Sequence, residues 1–518
     1  MRQVLSRLQV PGASWMIFPL AAALAVIGAK IWMIAQNGSP TPFWDQWDAE
    51  GAFLYPQYLN GTLTFSDLIT PHNEHRILVT RLWSLLLLDL EGYWDPILQM
   101  LANTLLLGGF VALLVASFRP MLDAASWIAF ALFAAVIYAL PFGWESTLAG
   151  FQSSWYFMLL FSVGGLLAII EAAAFSARWW LALLLVLVSY FSLASGALTA
   201  AAAFAICAVQ FAVGRRSGTV EWLALVMLAA MTAVMMLYIP ILAPQAVYKS
   251  HSVGQFLHAL MQIMSWPAVP NDAGSLPLIA GAILIQAPVL LISLCVIWLR
   301  PPVADRRWLL VVLTGWTILQ AAGVAYGRAT IATSSRYLDV WVVIILLDYA
   351  CLLYALNLFP ISWLQRSLAP GATVFWLLLV LFGATKAIFT RTLPEIAQRA
   401  ASYQAENLNF RAYLETGDIR VLENKPTLDI PYPSPKRLAQ IVSNPSVRAI
   451  LPPALVGEAS AARAQQHGLA QYTGRPIETL KYYALRWGVL LMPAGLVLFL
   501  MGLTMQWRRE TENTPASG

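Results

Sequence analysis

Two short stretches near the start of a very apolar chain carry an unusual density of reactive side chains. Residues 43–50 read FWDQWDAE and residues 71–76 read PHNEHR. Asp45 and Asp48 stand three positions apart, so a helix through this stretch would place both carboxylates on one face. A carboxylate at a membrane surface can orient a hydroxyl, accept its proton or hold a divalent ion. Asp45 is the leading catalytic candidate and Asp48 its competitor. In PHNEHR the proline suits a helix start, and a helix there would set His72 and His75 one turn apart. Asp45, Asp48, His72 and His75 are then the set that could hold Mg2+ or Mn2+, although two histidines need further ligands to make a site. Glu74 and Trp44 could touch a sugar or an acceptor. Arg76 and Arg81 supply cations, and the guanidinium fork matches phosphate oxygens. Interfacial anchoring by Phe43, Trp44, Trp47 and Phe53 is the plainer role open to the same loop.

Two other stretches have suitable chemistry. FGWESTLAGFQSSW (142–155) offers Trp144, Glu145 and Gln152, which could read sugar hydroxyls by stacking and hydrogen bonding. VAYGRATIATSSRYLDV (324–340) carries Arg328 and Arg336 beside Ser334, Ser335 and Tyr337, a composition suited to an anion. Lys249, Lys386 and Arg391 are weaker phosphate candidates. HSVGQFLHALMQIMSW (251–266) reads as an amphipathic surface helix.

The elements that must position these groups are membrane helices. Of 518 residues 59% are hydrophobic and 11% charged, too few charges to cover a soluble protein of this length. Apolar runs near 14–35, 96–117, 124–141, 153–174, 179–194, 197–213, 221–243, 275–299, 308–325, 338–357, 369–387 and 485–505 predict about twelve transmembrane helices of an all-α polytopic fold. The runs 179–194 and 197–213 are short. SLASG (192–196) makes a turn between them plausible, and a single broken helix would upset the parity. The first apolar run lacks a convincing cleavage site and is kept as a helix. Cys207, Cys295 and Cys351 lie far apart in apolar runs and indicate neither a disulfide framework nor a cysteine-rich metal site.

Arg2, Arg7, Arg119, Arg178, Arg215, Arg216, Arg300, Arg306, Arg307, Arg366, Arg508 and Arg509 all fall on one side if both termini are cytoplasmic. Arg328 and Arg336 break that bias. The far side, periplasmic in a bacterial inner membrane, receives the loop 36–95, the stretch 244–274 and a polar insert 388–484. The chain divides into a transmembrane module 1–387, this insert or cap, and a final helix with a cytoplasmic tail, 485–518. In the insert, LPEIAQRAASYQAENLNFRAYL reads as helix, TLDIPYPSPKR as extended, and PSPKRLAQIVSN as a short helix. A cap packed on the bundle and an acceptor-recognition element are both consistent with it. Neither a Walker loop nor a dinucleotide fingerprint is present. An enzyme built this way needs an energy-rich donor already on the outer side.

With Asp45 in FWDQWD, the adjacent PHNEHR, FGWESTLAGFQ and GRATIATSSRY, this pattern resembles the bacterial integral-membrane glycosyltransferases of the GT-C superfamily that use polyprenyl-phosphate sugars. The likeness covers most of the chain in topology, with residue support in those stretches only. It implies inverting transfer: Asp45 deprotonates the acceptor, and Arg328, Arg336, Tyr337 and Arg76 hold the donor phosphate. The acceptor would be a glycan, a lipid such as a lipopolysaccharide component, or a protein; no nucleic acid is involved. A secondary transporter or flippase suits twelve helices too, and would place decisive polar groups near the midplane, where Asp339 and Asp348 are the residues to query. A glycan polymerase or ligase using a pyrophosphate-linked donor could use the same arginines, and a noncatalytic scaffold is the remaining reading.

Overall fold

The computed structural model describes residues 15–358, 363–457 and 468–512. Side chains at 244, 357–367 and 507–512 lie outside the description, so Arg2, Arg7, Arg366, Arg508 and Arg509 are not placed. The protein is all α. Among the described residues the only β pairing is one isolated bridge between His72 and His75.

Twelve apolar helices build the bundle: α1 (Ile17–Asn37), α3 (Pro96–Phe118), α4 (Ala124–Ala139), α5 (Ser153–Ile169), α6 (Ala177–Tyr190), α7 (Ala197–Ala212), α8 (Thr219–Leu237), α10 (Ser275–Leu299), α11 (Trp308–Gly327), α12 (Ser335–Leu358), α13 (Trp363–Ala387) and α16 (Leu491–Glu512). Four more lie at one end of it: α2 (Leu78–Glu91), α9 (Val253–Ser265), α14 (Leu393–Thr416) and α15 (Ala470–Trp487). Eleven segments among the described residues are long and apolar enough to cross a membrane. The exception, α6, has 14 residues and spans about 21 Å at 1.5 Å per residue. It is separate from α7, with the turn at 191–196 between them, so the two short runs are two helices and not one broken helix.

Helix ends show why the sequence breaks where it does. Asp95, Asp123, Ser176 and Ser252 each accept a hydrogen bond from a backbone N–H in the first turn of the following helix, pairing groups that helix geometry leaves open. Pro288 lies inside α10, which runs through it with one backbone bond redirected. There the Val289 N–H donates to Asp348 Oδ1 at 3.1 Å, and the Ile285 carbonyl accepts from the Trp376 indole at 3.1 Å. The close approach of α1 and α16 needs small residues. A Cβ on Gly28 would meet Met492 N at 2.5 Å, and one on Gly495 would meet the Ala21 carbonyl at 2.6 Å.

The two ends differ in chemistry. At one, Glu171 pairs with Arg178 at 2.7 Å and Arg306 at 2.5 Å, and buried Arg216 pairs with Glu221 at 3.0 Å while donating to carbonyls at the end of α5. Arg215 reaches the Arg300 carbonyl. These are arginines that the one-sided bias assigns together. The opposite end carries a second hydrophobic core. Trp47, Leu54, Tyr55, Leu88 and Trp94 from the first loop pack with Phe410, Leu438, Ile441, Val447 and Leu451 of the insert. The insert is therefore a cap sharing a core with the loop 36–95. Its helix α14 continues from α13, and Pro435–Val442 forms a short helix as its sequence predicts. Lys481 on α15 ties the cap back, binding Glu91 at 2.5 Å and also Asp95.

Candidate functional site

The capped end gathers four turns: 42–54, 71–77, 141–152 and 328–337. FWDQWDAE is helical, but residues 47–54 are wound as a π-helix, which displaces the spacing expected of an α-helix. Asp45 and Asp48 both lie within electrostatic reach of His72 and Tyr432, but their partners differ. Asp45 is exposed and makes no hydrogen bond or ion pair among the described residues. Asp48 accepts from the Tyr432 hydroxyl and pairs with Arg437 at 3.3 Å, tying the loop to the insert.

The turn bearing Asp45 is held from behind. Glu50 is fully buried and accepts from Ser84 at 2.5 Å, Gln99 at 2.8 Å, Trp94 at 2.9 Å and Gln46 at 3.2 Å. Burial raises its carboxyl above the usual range, and these donors oppose that shift. Gln46 Nε2 also donates to Gln99 Oε1 at 2.8 Å, while its Oε1 accepts from the Phe43 N–H at 3.1 Å. The relay ends at the Phe43 N–H, next to Trp44, whose φ of 45° is left-handed and strained for a bulky residue. Trp44 N–H donates to the Pro431 carbonyl at 2.9 Å, and its indole Nε1 is buried without a partner among the described residues. Arg399 of α14 lies between Phe43 and Tyr403, 3.5 Å and 3.6 Å from the ring centroids, and pairs with Glu406 at 3.0 Å.

PHNEHR is a tight turn, and α2 starts only at Leu78. His72 and His75 exchange backbone hydrogen bonds of 2.8 Å and 3.0 Å around Asn73, which has φ 51°. The proline thus opens a hairpin-like turn, and the expected one-turn helical spacing of the histidines does not occur. The His72 ring meets Phe151 edge-on at 5.4 Å, and His75 Nδ1 accepts from Ala194 N–H at 3.4 Å. Burial lowers the pKa of both imidazoles, that of His75 to about 4, so both are neutral near pH 7. The expected metal set does not assemble: no group of three or more His, Cys, Asp or Glu among the described residues is placed to hold a metal ion. Asp48 is committed to the insert and His75 to the 194 backbone. The residues present therefore do not fit the Mg2+ or Mn2+ expectation.

The arginines are already paired. Glu145 Oε1 meets Arg336 at 3.2 Å, while Oε2 accepts from Ser334 Oγ at 2.6 Å and from Arg336 N–H at 3.0 Å. Arg336 Nε is buried without a partner among the described residues. Arg328 donates to Glu74 and, at 2.8 Å, to Gln245 Oε1, and lies 5.5 Å from the Tyr248 ring centroid. Tyr337 is buried beside both arginines, edge-on to Trp155 at 5.4 Å. Arg76 donates to the Ile69 carbonyl at 2.9 Å. Trp144 donates to Glu395 at 3.1 Å, and Gln152 is half-buried next to Phe151. Asp45 lies within electrostatic reach of Arg336, His72 and Tyr432. The fold thus brings Asp45, Trp44, His72, Glu145, Arg336 and Tyr337 to one end, with Glu74 and Arg328 adjoining.

Sequence reasoning missed Gln46 and Gln99, the supporting role of Glu50, the acceptor Gln245, and the insert partners Tyr432, Arg437, Arg399 and Tyr403. Alternation of Asp, Gln and Glu with tryptophan in 44–50 was the available signal for a buried polar relay; nothing local marks Gln99 or Gln245. No protein-family profile, no curated protein and no solved structure matches the chain.

Proposed function

We propose that the protein is an inverting glycosyltransferase, GT-C-like in plan, moving a sugar from a polyprenyl-phosphate donor to a glycan, lipid or protein acceptor at the outer membrane face. The single observation that carries this reading is the state of Asp45: an exposed carboxylate with no hydrogen bond among the described residues, fixed on a strained turn, within electrostatic reach of Arg336. Such a group is free to take a proton, and the neighbouring guanidinium suits the charge that appears on a departing phosphate.

In the proposed step Asp45 accepts the acceptor hydroxyl proton as that oxygen attacks the anomeric carbon. The bond from that carbon to phosphate oxygen breaks on the opposite side, and its electron pair leaves with polyprenyl phosphate. Arg336 and Arg328, beside Tyr337, receive the phosphate charge. Trp44, Trp144, Glu145 and Gln152 border the sugar or acceptor. Asp48 acts through the insert. The clustering of Arg178, Arg215, Arg216, Arg300 and Arg306 at the other end supports a cytoplasmic placement of that end, with both termini there and the capped end periplasmic in a bacterial inner membrane. Asp348 Oδ1 accepts from the Val289 N–H, its Oδ2 is buried without a partner among the described residues, and Asp339 accepts from Tyr156 at 3.3 Å; the concentration of charged side chains at the capped end favours enzyme over transporter.

The test is lipid mass spectrometry of cells carrying the wild-type gene, no gene, or Asp45→Asn, with membrane insertion checked. A glycolipid or surface glycan should disappear in the second and third strains alike. Full retention of that product with Asp45→Asn refutes the assignment of the base.

A further inference from the structure

Two carboxylates occupy the two arginines of the site, and they are held very differently. Glu145 is locked: both oxygens are used, by the Arg336 guanidinium, the Arg336 backbone N–H and Ser334, and its own N–H donates to Ser335 Oγ at 3.0 Å. Glu74 uses one oxygen, Oε1, which meets Arg328 and stands 3.8 Å from His75 Nε2. Its other oxygen, Oε2, is buried with no hydrogen-bond partner among the described residues. Leaving a buried carboxylate oxygen unpaired costs free energy that the protein recovers if the side chain leaves. Glu74 also sits on the 72–75 turn, beside Asn73 at positive φ, so the segment carrying it is a tight local structure that can move without disturbing a helix. Arg328, by contrast, keeps Gln245 and the Tyr248 ring when Glu74 departs.

We propose that Glu74 is a built-in occupant of an anion site formed by Arg328, Gln245 and Tyr248, and that the phosphate of a polyprenyl lipid, a diester in the sugar donor and a monoester once the sugar has left, binds by displacing it. This rests on the donor reading of the site given above and adds its control: the empty protein keeps Arg328 neutralised, and the donor headgroup exchanges one anion for another. Glu145 stays in place and holds Arg336 in position throughout. No covalent step is involved. Carboxylate and phosphate oxygens compete for the same fork of N–H donors. The exchange also removes one of the contacts that hold the 72–75 turn, whose His72 lies within electrostatic reach of Asp45, while the His75–Ala194 bond and the His72–Phe151 contact remain.

The experiment uses the full chain in nanodiscs and measures binding of a polyprenyl monophosphate by native mass spectrometry or tryptophan fluorescence, with inorganic phosphate as competitor. Glu74→Gln removes the internal anion and should tighten lipid binding by about tenfold or more. Arg328→Gln should weaken it by a similar factor, and the double variant should match Arg328→Gln alone, because Glu74 acts only through Arg328. Unchanged or weaker binding by folded Glu74→Gln overturns the proposal, as does a double variant in which the two effects add. If Glu74→Gln does not fold, Gln245→Glu carries the test: a second carboxylate beside Arg328 should weaken binding about tenfold, and unchanged binding overturns the proposal. Displacement of the lipid by inorganic phosphate at equal concentration would assign the site to free phosphate and reject the lipid-borne ligand. The outcomes separate from those of the transfer reaction. Glu74-dependent binding without sugar transfer would leave this exchange standing and defeat the glycosyltransferase reading; transfer with no Glu74 effect would do the reverse.

Discussion

Replacing Glu50 with alanine should unfasten the turn that bears Asp45 without touching it. Four donors converge on this carboxylate: Ser84, Gln99, Trp94 and Gln46. Ser84 can rotate its hydroxyl elsewhere. The Trp94 indole can only donate, and the two glutamine amides face a void, so three donors lose their acceptor. At about 1–3 kcal/mol for each buried unsatisfied group, and with some return from no longer burying a carboxylate, the net loss is about 3–4 kcal/mol. Glu50→Gln is the discriminating partner. It keeps the volume but offers one acceptor oxygen in place of two. Its amide then confronts Gln99 or Trp94. Flipping Gln99 to accept forces Gln46 to flip as well, which turns an NH2 group toward the Phe43 N–H. The cost is about 1–2 kcal/mol, and the disturbance arrives at residue 43. Hydrogen exchange in detergent or nanodiscs reads this directly. The amides of 43–47 should exchange several hundred-fold faster in Glu50→Ala and about tenfold faster in Glu50→Gln, at about 1.4 kcal/mol per factor of ten. If both variants leave the exchange of 43–47 unchanged while folding normally, the relay does not hold the turn and the reasoning fails.

Other expected outcomes follow from the same geometry. Asp48→Asn should keep measurable transfer and chiefly loosen the insert, detected as faster proteolysis near residues 430–437, whereas Asp45→Asn abolishes turnover with little change in folding; reversal of that pattern would exchange their roles. Gly150→Ala should lower thermal stability by several degrees, because the new methyl would press on the Gln99 side chain and meet the Pro96 carbonyl at 3.1 Å; an unshifted melting curve would contradict this. His75 has a folded pKa of about 4, below the unfolded value near 6.5. Its folded form therefore binds fewer protons in that window. The stability is fully present above about pH 6.5 and is lost as pH falls toward 4, by about 1–3 kcal/mol at most. The acid sensitivity of the capped end should shrink in His75→Gln, and an identical pH profile for the two proteins would count against it. Lys481→Met strands Glu91 and Asp95, two carboxylates buried side by side. It should destabilise the cap by about 3 kcal/mol or more, and Glu91→Gln added to it should restore part of the loss in a chemical melt.

The helical part of this architecture is legible because each element carries its own signal. Apolar runs set the spans, while Asp95, Asp123 and Ser176 mark helix starts within a few residues of where the capping bonds form. The amphipathic stretch at 251–266 and the insert helices read equally well, since period and proline positions are local properties. The candidate site was legible only as a set of residue types. Its residue types were visible, and so was the breach of the arginine bias at Arg328 and Arg336. Its pairing was not. That Glu145 would take Arg336, Glu74 would take Arg328, and Tyr432 would take Asp48 depends on which turns meet, and partners separated by 191, 254 and 384 positions leave no periodic trace. The helix expected at PHNEHR failed for a local reason. Proline at a helix start and proline at a turn look alike, and Asn73 in a left-handed conformation decides for the turn.

The shared core of loop and cap sets the order in which the protein can be made. Trp47 and Trp94 leave the ribosome early, yet Phe410, Leu438 and Ile441, which bury them, arrive more than three hundred residues later. At roughly 5–20 residues per second, the first loop waits on the order of half a minute with its tryptophans uncovered. Asp45 cannot reach its final setting until nearly the whole chain has been synthesised, so an unfinished product carries this carboxylate but not the platform that positions it.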